Sequence, residues 1–200
     1  MRLATIRSVV AALLLSAVYA GDIHAQRVPD TRGLHLGAAV NATSIKLDET
    51  AFSDDERENG YGADVYIGYN FTRNLGLTFG ITAANINDSQ TNDFSVAHAD
   101  LAGRFSFPGR SAFVPYLELS LSGVSAQYRV AGEDVELRGG GIGMGGGFNY
   151  FFGRRAAFDA AFRYTGGEFD DGEIDDRDID VGEGVGFNTT RLKLGFAFYP

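Results

Sequence analysis

His98 and Asp100 share one face of an alternating stretch, and Ser120 and Ser122 share one face of the next. If the two stretches lie side by side, a histidine, a carboxylate and two hydroxyls meet, which is the set that activates a hydroxyl nucleophile. Beyond residue 25 the only histidines are His35 and His98, and neither sits in a hydrolase-like or acyltransferase-like motif. A buried polar cluster with Arg104 and Glu118 accounts for the same residues equally well. No catalytic residue is assigned.

Carboxylates offer a second chemistry. Asp48, Glu49, Asp54, Asp55, Glu56 and Glu58 crowd residues 48–59, and nine carboxylates lie between Glu168 and Glu183 with only Arg177 among them. These two segments more than account for the formal net charge of −9, which argues against a nucleic-acid partner. Hard divalent cations need several oxygen ligands, and Asp176-x-Asp178-x-Asp180 opens like a calcium loop. An EF-hand would continue with glycine at the sixth position and a carboxylate at the twelfth, where this chain has Val181 and Phe187. Asp176, Asp178 and Asp180 are therefore weak candidates for a divalent cation in acidic loops, and no cofactor is expected. Gly141-Ile142-Gly143-Met144-Gly145-Gly146 satisfies the dinucleotide fingerprint as a string. The fingerprint requires a following helix, whereas Phe148-Asn149-Tyr150-Phe151-Phe152 continues as a strand. The glycines are expected to make room for Arg191, Lys193 or Tyr116.

The elements that hold these residues are strands. Eight stretches alternate apolar and polar residues, starting with 34–47, 61–71, 75–85, 94–107, 113–125 and 139–152, then around Phe158–Tyr164 and Thr190–Phe198. A period of two means one apolar face per strand. The connections alternate between long and short, with tight turns at Thr72-Arg73-Asn74, Pro108-Gly109-Arg110-Ser111 and Gly153-Arg154-Arg155. That rhythm predicts an all-β, eight-stranded antiparallel up-and-down barrel.

Three features point the apolar face outward, into lipid. The other face is rich in Gly, Ala, Ser, Thr and Asn, and its few charges balance: Asp64, Asp100, Glu118 and Asp159 against Arg104, Arg163, Arg191 and Lys193. With His98 these form the expected polar network of the lumen, where an unpaired ion would be costly. Aromatic residues crowd beside the short turns: Tyr69, Phe71, Phe105, Phe107, Phe113, Tyr150, Phe152, Phe158, Phe196, Phe198 and Tyr199. They read as a girdle at one membrane interface. Finally, an eight-stranded barrel has too little interior for so many large apolar side chains. The expectation is a transmembrane barrel with acidic long loops and basic short turns, the latter carrying Arg73, Arg110, Arg154 and Arg155.

The N-terminus reads as an export signal over residues 1–25, with Arg2 and Arg7 before an apolar core, and cleavage after Ala20 or Ala25. A short lead over 26–33 and a barrel domain over 34–200 follow. There is no cysteine, so no disulfide or thiol chemistry arises.

Over residues 34–200 the chain resembles the small eight-stranded outer-membrane barrels of the OmpA/OmpX type and the outer-membrane protein beta-barrel domain family. The resemblance is carried by Pro115-Tyr116-Leu117-Glu118-Leu119, by Gly143 to Tyr150 and by Arg163-Tyr164-Thr165. Lys193, Gly195, Phe196 and Phe198 are similar in spacing to the C-terminal signal read by the barrel-assembly machinery. The resemblance implies the bacterial outer membrane, long loops outside, and contact with outer-membrane lipid and lipopolysaccharide. The expected role is structural or adhesion-like, as a monomer with a surface protein as partner. The alternatives are a lipid A-modifying hydrolase or acyltransferase, a narrow gated pore, and a soluble periplasmic lipocalin-like barrel. Residues 127–138 keep alternating around Ala131-Gly132-Glu133-Asp134, which suggests that strands five and six run on past the bilayer as a hairpin.

Overall fold

The computed structural model describes residues 30–47, 57–87, 94–130, 133–174 and 177–200. The proposed signal segment lies outside them. Eight strands follow one another in chain order: β1 (Gly33–Leu47), β2 (Glu58–Asn70), β3 (Leu75–Asn87), β4 (Phe94–Ser106), β5 (Phe113–Val130), β6 (Glu133–Phe151), β7 (Ala156–Ile174) and β8 (Arg177–Phe198). Each pairs antiparallel with its neighbour, and β1 closes on β8 with Val40 opposite Leu194. Closure leaves the membrane-level ladder without an edge, which lipid makes obligatory. Gly33 enters β1 at a φ of 93°, in the left-handed region that favours glycine.

The short turns are stitched by side chains. The Thr72 hydroxyl accepts from the Leu75 N–H at 2.9 Å, and Asn74 Nδ2 donates to the Ser106 carbonyl at 2.9 Å across to the next turn. At the other end the strands differ in length. β5 and β6 stay paired out to Val130 and Glu133, and β7 and β8 out to Ile174 and Arg177. The acidic connection between the stretches ending at Tyr164 and starting at Thr190 was expected to be a long loop. Apart from 175–176, outside the described residues, residues 166–188 form the two arms of a hairpin, with an irregularity between Phe169 and Asp171. Among the described residues, β5–β8 thus extend as a four-stranded wall beyond the ends of β1–β4.

The apolar face points outward, with Leu117, Leu119, Leu121, Met144 and Phe196 each more than half exposed. On β5 the band runs from Phe113 to Gly123, which at ordinary rise and barrel tilt spans about 25 Å, the height of an outer-membrane hydrocarbon layer.

The lumen is not uniformly polar, and here the structure corrects the sequence reading. At the short-turn end Tyr66, Ala112, Val114, Phe151, Ala157, Ala197 and Tyr199 form an apolar floor. At the opposite end ten buried residues form a second apolar layer, among them Ile45, Phe94, Val96, Leu137, Phe169 and Phe187. The charged residues lie between the two layers. Above the lipid band the outer surface meets water, so the alternation inverts and the apolar face turns inward, as in a soluble barrel.

Candidate functional site

The midsection of the lumen is one connected network. Arg104 on β4 and Glu118 on β5 are cross-strand partners. Arg104 Nε donates to Glu118 Oε1 at 2.8 Å, its Nη2 stands 2.7 Å from the same oxygen, and the guanidinium lies 4.0 Å over the Tyr116 ring. Arg163 on β7 reaches across to donate to Asp100 Oδ2 at 2.7 Å and to Glu118 Oε2. Arg191 on β8 grips Asp100 with both terminal nitrogens, at 2.7 and 3.0 Å, and also reaches Thr82 and Thr165. Such forked contacts are the strong form of charge-assisted hydrogen bond.

A second lobe centres on Asp159, which is fully buried. It accepts from the Tyr66 hydroxyl at 2.8 Å and the Tyr116 hydroxyl at 2.7 Å, with Lys193 Nζ at 3.4 Å. The Lys193 ammonium lies 4.2 Å over the Tyr66 ring and 3.9 Å from Asp64, which in turn accepts from Thr82 at 2.6 Å. Four carboxylates and four cations therefore pair with one another in a largely buried interior, the condition under which buried ions are tolerated. A cleft of about 10 Å³ among Asn41, Asp64, Ala161, Arg163, Arg191 and Lys193 is the size of one water.

Glycines on the lumen face admit these large groups. A Cβ on Gly147 would come 2.8 Å from the Tyr116 ring, so this glycine does make room for Tyr116. The other expected beneficiaries, Arg191 and Lys193, are not what the β6 glycines face. Gly143 opposes the Ser120 and Thr165 hydroxyls, and Gly145 the backbone of Phe162 and Arg163. Two glycines that the sequence reading passed over matter as much, since Gly37 backs onto the Tyr66 ring and Gly68 onto the His35 imidazole.

The histidine, serines and carboxylate suspected of chemistry do not assemble as a triad. Ser122 gives its hydrogen bond to Asp100, and both ring nitrogens of buried His98, like Ser120 Oγ, have no hydrogen-bond partner among the described residues. His35 meets Thr78 at 3.3 Å and stacks on Tyr199.

Of the girdle residues, Tyr69, Phe71, Phe105, Phe107, Phe113, Tyr150, Phe152 and Phe198 are exposed on the outer surface. Phe158 is half-buried between Phe148 and Phe196. Tyr199 was expected among them but turns inward: it is 4% exposed, packs on Phe151 and bonds to Asn149. Alternation alone explains this, because Phe198 before it points out. In the proposed assembly signal Lys193 enters the lumen, Gly195 lies against the Ala39 backbone, and Phe196 and Phe198 face out.

Of the cation candidates, Asp176 lies outside the described residues, as do the side chains of Asp178 and Asp180. Among the described residues no group of three metal-binding side chains converges. The acidic stretch 48–56 also lies outside.

A closed antiparallel barrel with an apolar outer band and its charges inside defines an outer-membrane β-barrel protein. The chain belongs to the outer membrane protein beta-barrel domain family, whose model matches residues 8–188, and so to the bacterial outer membrane. Its fold is shared with the crystal structure of Neisserial surface protein A, at a TM-score of 0.67 and 17% identity, over 84% of this chain and 97% of that one. OprG from Pseudomonas aeruginosa follows at 0.58 and 14%, over 86% and 98%. Ail, the attachment invasion locus protein of Yersinia pestis, stands at 0.52 and 16%, over 84% and 100%. No curated protein sequence matches the chain.

Proposed function

We propose that the protein is a non-catalytic surface barrel whose lumen serves as a rigid plug and whose β5–β8 wall is an adhesion-like interaction surface outside the cell. The observation that carries this is the pairing of a neutral ion network, closed between two apolar layers, with a wall that stands above the opposite half of the barrel. A conducting barrel would need ions to cross both of those layers, and a lumenal active site would need its substrate to pass one of them. The wall, by contrast, contributes nothing to crossing the membrane.

Neisserial surface protein A and Ail are a surface protein and an attachment protein by name, which supports the surface role. Ail is also known in complex with the heparin analogue sucrose octasulfate. The wall here differs in chemistry: Glu168, Asp170 and Asp171 are exposed on it, so a neutral or basic protein surface is the expected partner, not a polysulfate. The test is deletion of residues 130–135 at the tip of the β5–β6 hairpin. Cell adhesion should fall while the barrel keeps its heat-modifiable gel migration. Unchanged adhesion with a folded barrel would refute the assignment.

A further inference from the structure

The β1–β8 seam is the one pairing of the closed barrel that does not join neighbours in the chain. It brings Leu36 to Phe198 and Leu47 to Phe187 across most of the sequence. The entropy of closing so long a loop is lost before the seam's contacts form, which makes this the last pairing to be completed. At the foot of the seam β8 ends at Phe198, opposite Leu36 on β1 and Ala156 on β7. Tyr199, one residue beyond, turns under it. The Tyr199 ring stacks on His35 of β1, with centroids 5.4 Å apart and planes 22° from parallel, and tilts against Phe151 of β6 at 5.1 Å. Its hydroxyl accepts from Asn149 Nδ2 at 3.1 Å, and its N–H donates to the Arg155 carbonyl at 2.7 Å. His35 is fixed from behind, with Nε2 3.3 Å from Thr78 Oγ1 on β3 and the ring meeting Tyr66 of β2 edge-on at 6.3 Å.

Tyr199 therefore ties the β1–β3 side of the seam to the β6–β7 side, through side chains that are all buried. Of the aromatic residues in the floor, Tyr66 and Phe151 lie in strands and Tyr199 alone does not. It can leave its place without breaking a ladder hydrogen bond. We propose that Tyr199 is a latch, which locks the seam after the ladder has closed and sets the lifetime of the closed barrel. A contact made after the transition state raises the barrier to opening and leaves the rate of closing as it was. A buried aromatic stack and a buried hydrogen bond together are enough to change a rate about tenfold or more.

The test measures unfolding and refolding rates of the full mature protein in phosphatidylcholine vesicles, followed by its heat-modifiable shift on a gel. Tyr199→Ala should speed unfolding about tenfold or more and leave refolding within about twofold of the parent. Tyr199→Phe, which keeps the stack and loses the Asn149 hydrogen bond, should fall between. The chain has no cysteine, so a disulfide between Val40→Cys and Leu194→Cys can staple the seam, and one between Phe79→Cys and Leu101→Cys can staple β3 to β4. With the seam stapled, Tyr199→Ala should unfold no faster than the stapled parent. With β3 and β4 stapled, the acceleration should remain. An acceleration that survives the seam staple would make Tyr199 a packing residue of the floor and overturn the proposal. So would a refolding rate that falls as far as the unfolding rate rises. Tyr199→Leu, apolar but unable to stack, takes the place of the alanine variant should that one not fold, with the same outcomes expected.

Discussion

At the scale of residues, the lumen is held by ions that are useful only together. Arg104 and Glu118 are both almost fully buried, so removing one leaves the other in a dry interior. Arg104→Met should cost about 3 kcal/mol in urea unfolding from lipid vesicles. Adding Glu118→Gln should cost less than the sum of the single changes by more than about 0.5 kcal/mol. Strict additivity would mean that the pair is not coupled. The glycines make the same point through volume. A methyl at Gly37 would run into the Tyr66 ring, so Gly37→Ala should destabilise by about 2 kcal/mol, as overpacking does. The members of this network were legible in the sequence, since Asp64, Asp100, Asp159, Arg163 and Arg191 all fall on the small-residue face. Their partners were not all legible. Arg163 meets Asp100 and Glu118 across the lumen, and contacts across a barrel depend on the stagger of its strands, which no single strand encodes.

At the scale of elements, each strand carries its own record of depth. On β5 Leu117, Leu119 and Leu121 face lipid while Val124 and Ala126 face the lumen. The apolar residues thus change from odd to even positions where the strand leaves the bilayer. The same change of phase occurs on β4 between Leu101 and Val96, and on β8 between Leu192 and Phe187. It stood in the sequence throughout, but a reading that assigns one apolar face per strand averages over it. Two substitutions test the boundary. Leu119→Arg, near mid-bilayer, should cost about 2–4 kcal/mol, whereas Gln127→Arg should cost about 0–1 kcal/mol. Equal costs would place the boundary elsewhere. The wall itself is pinned outside the membrane by Glu136, which accepts from Arg138 at 2.8 Å and from Ser125 at 2.9 Å. The Arg138 hydrogen bond, reinforced by Ser125, holds this carboxyl below its usual range. Its stabilising effect is therefore present above the ordinary glutamate pKa and lost as pH falls through its own lowered value. Protease cleavage of the β5–β6 hairpin should rise on such acidification, and Glu136→Gln should cleave at one rate across it.

At the scale of the whole molecule, three stacked layers close the lumen, and the barrel carries opposite charge at its two ends. The short turns hold Arg73, Arg110, Arg154 and Arg155, all exposed, and the wall holds the exposed carboxylates. A barrel closed in this way should show no discrete conductance steps in planar bilayers, and regular steps would contradict the sealed lumen. The central claim is a sealed, lipid-facing barrel that presents the β5–β8 wall to the exterior. Its most direct test uses the absence of cysteine, which lets one introduced thiol report alone. Glu168→Cys, Ser120→Cys and Arg154→Cys would each be treated on intact cells with a membrane-impermeant maleimide. Glu168→Cys should label on intact cells, Arg154→Cys only after the outer membrane is breached, and Ser120→Cys only after unfolding. Labelling of Ser120→Cys in the folded protein, or of Arg154→Cys on intact cells, would contradict that claim.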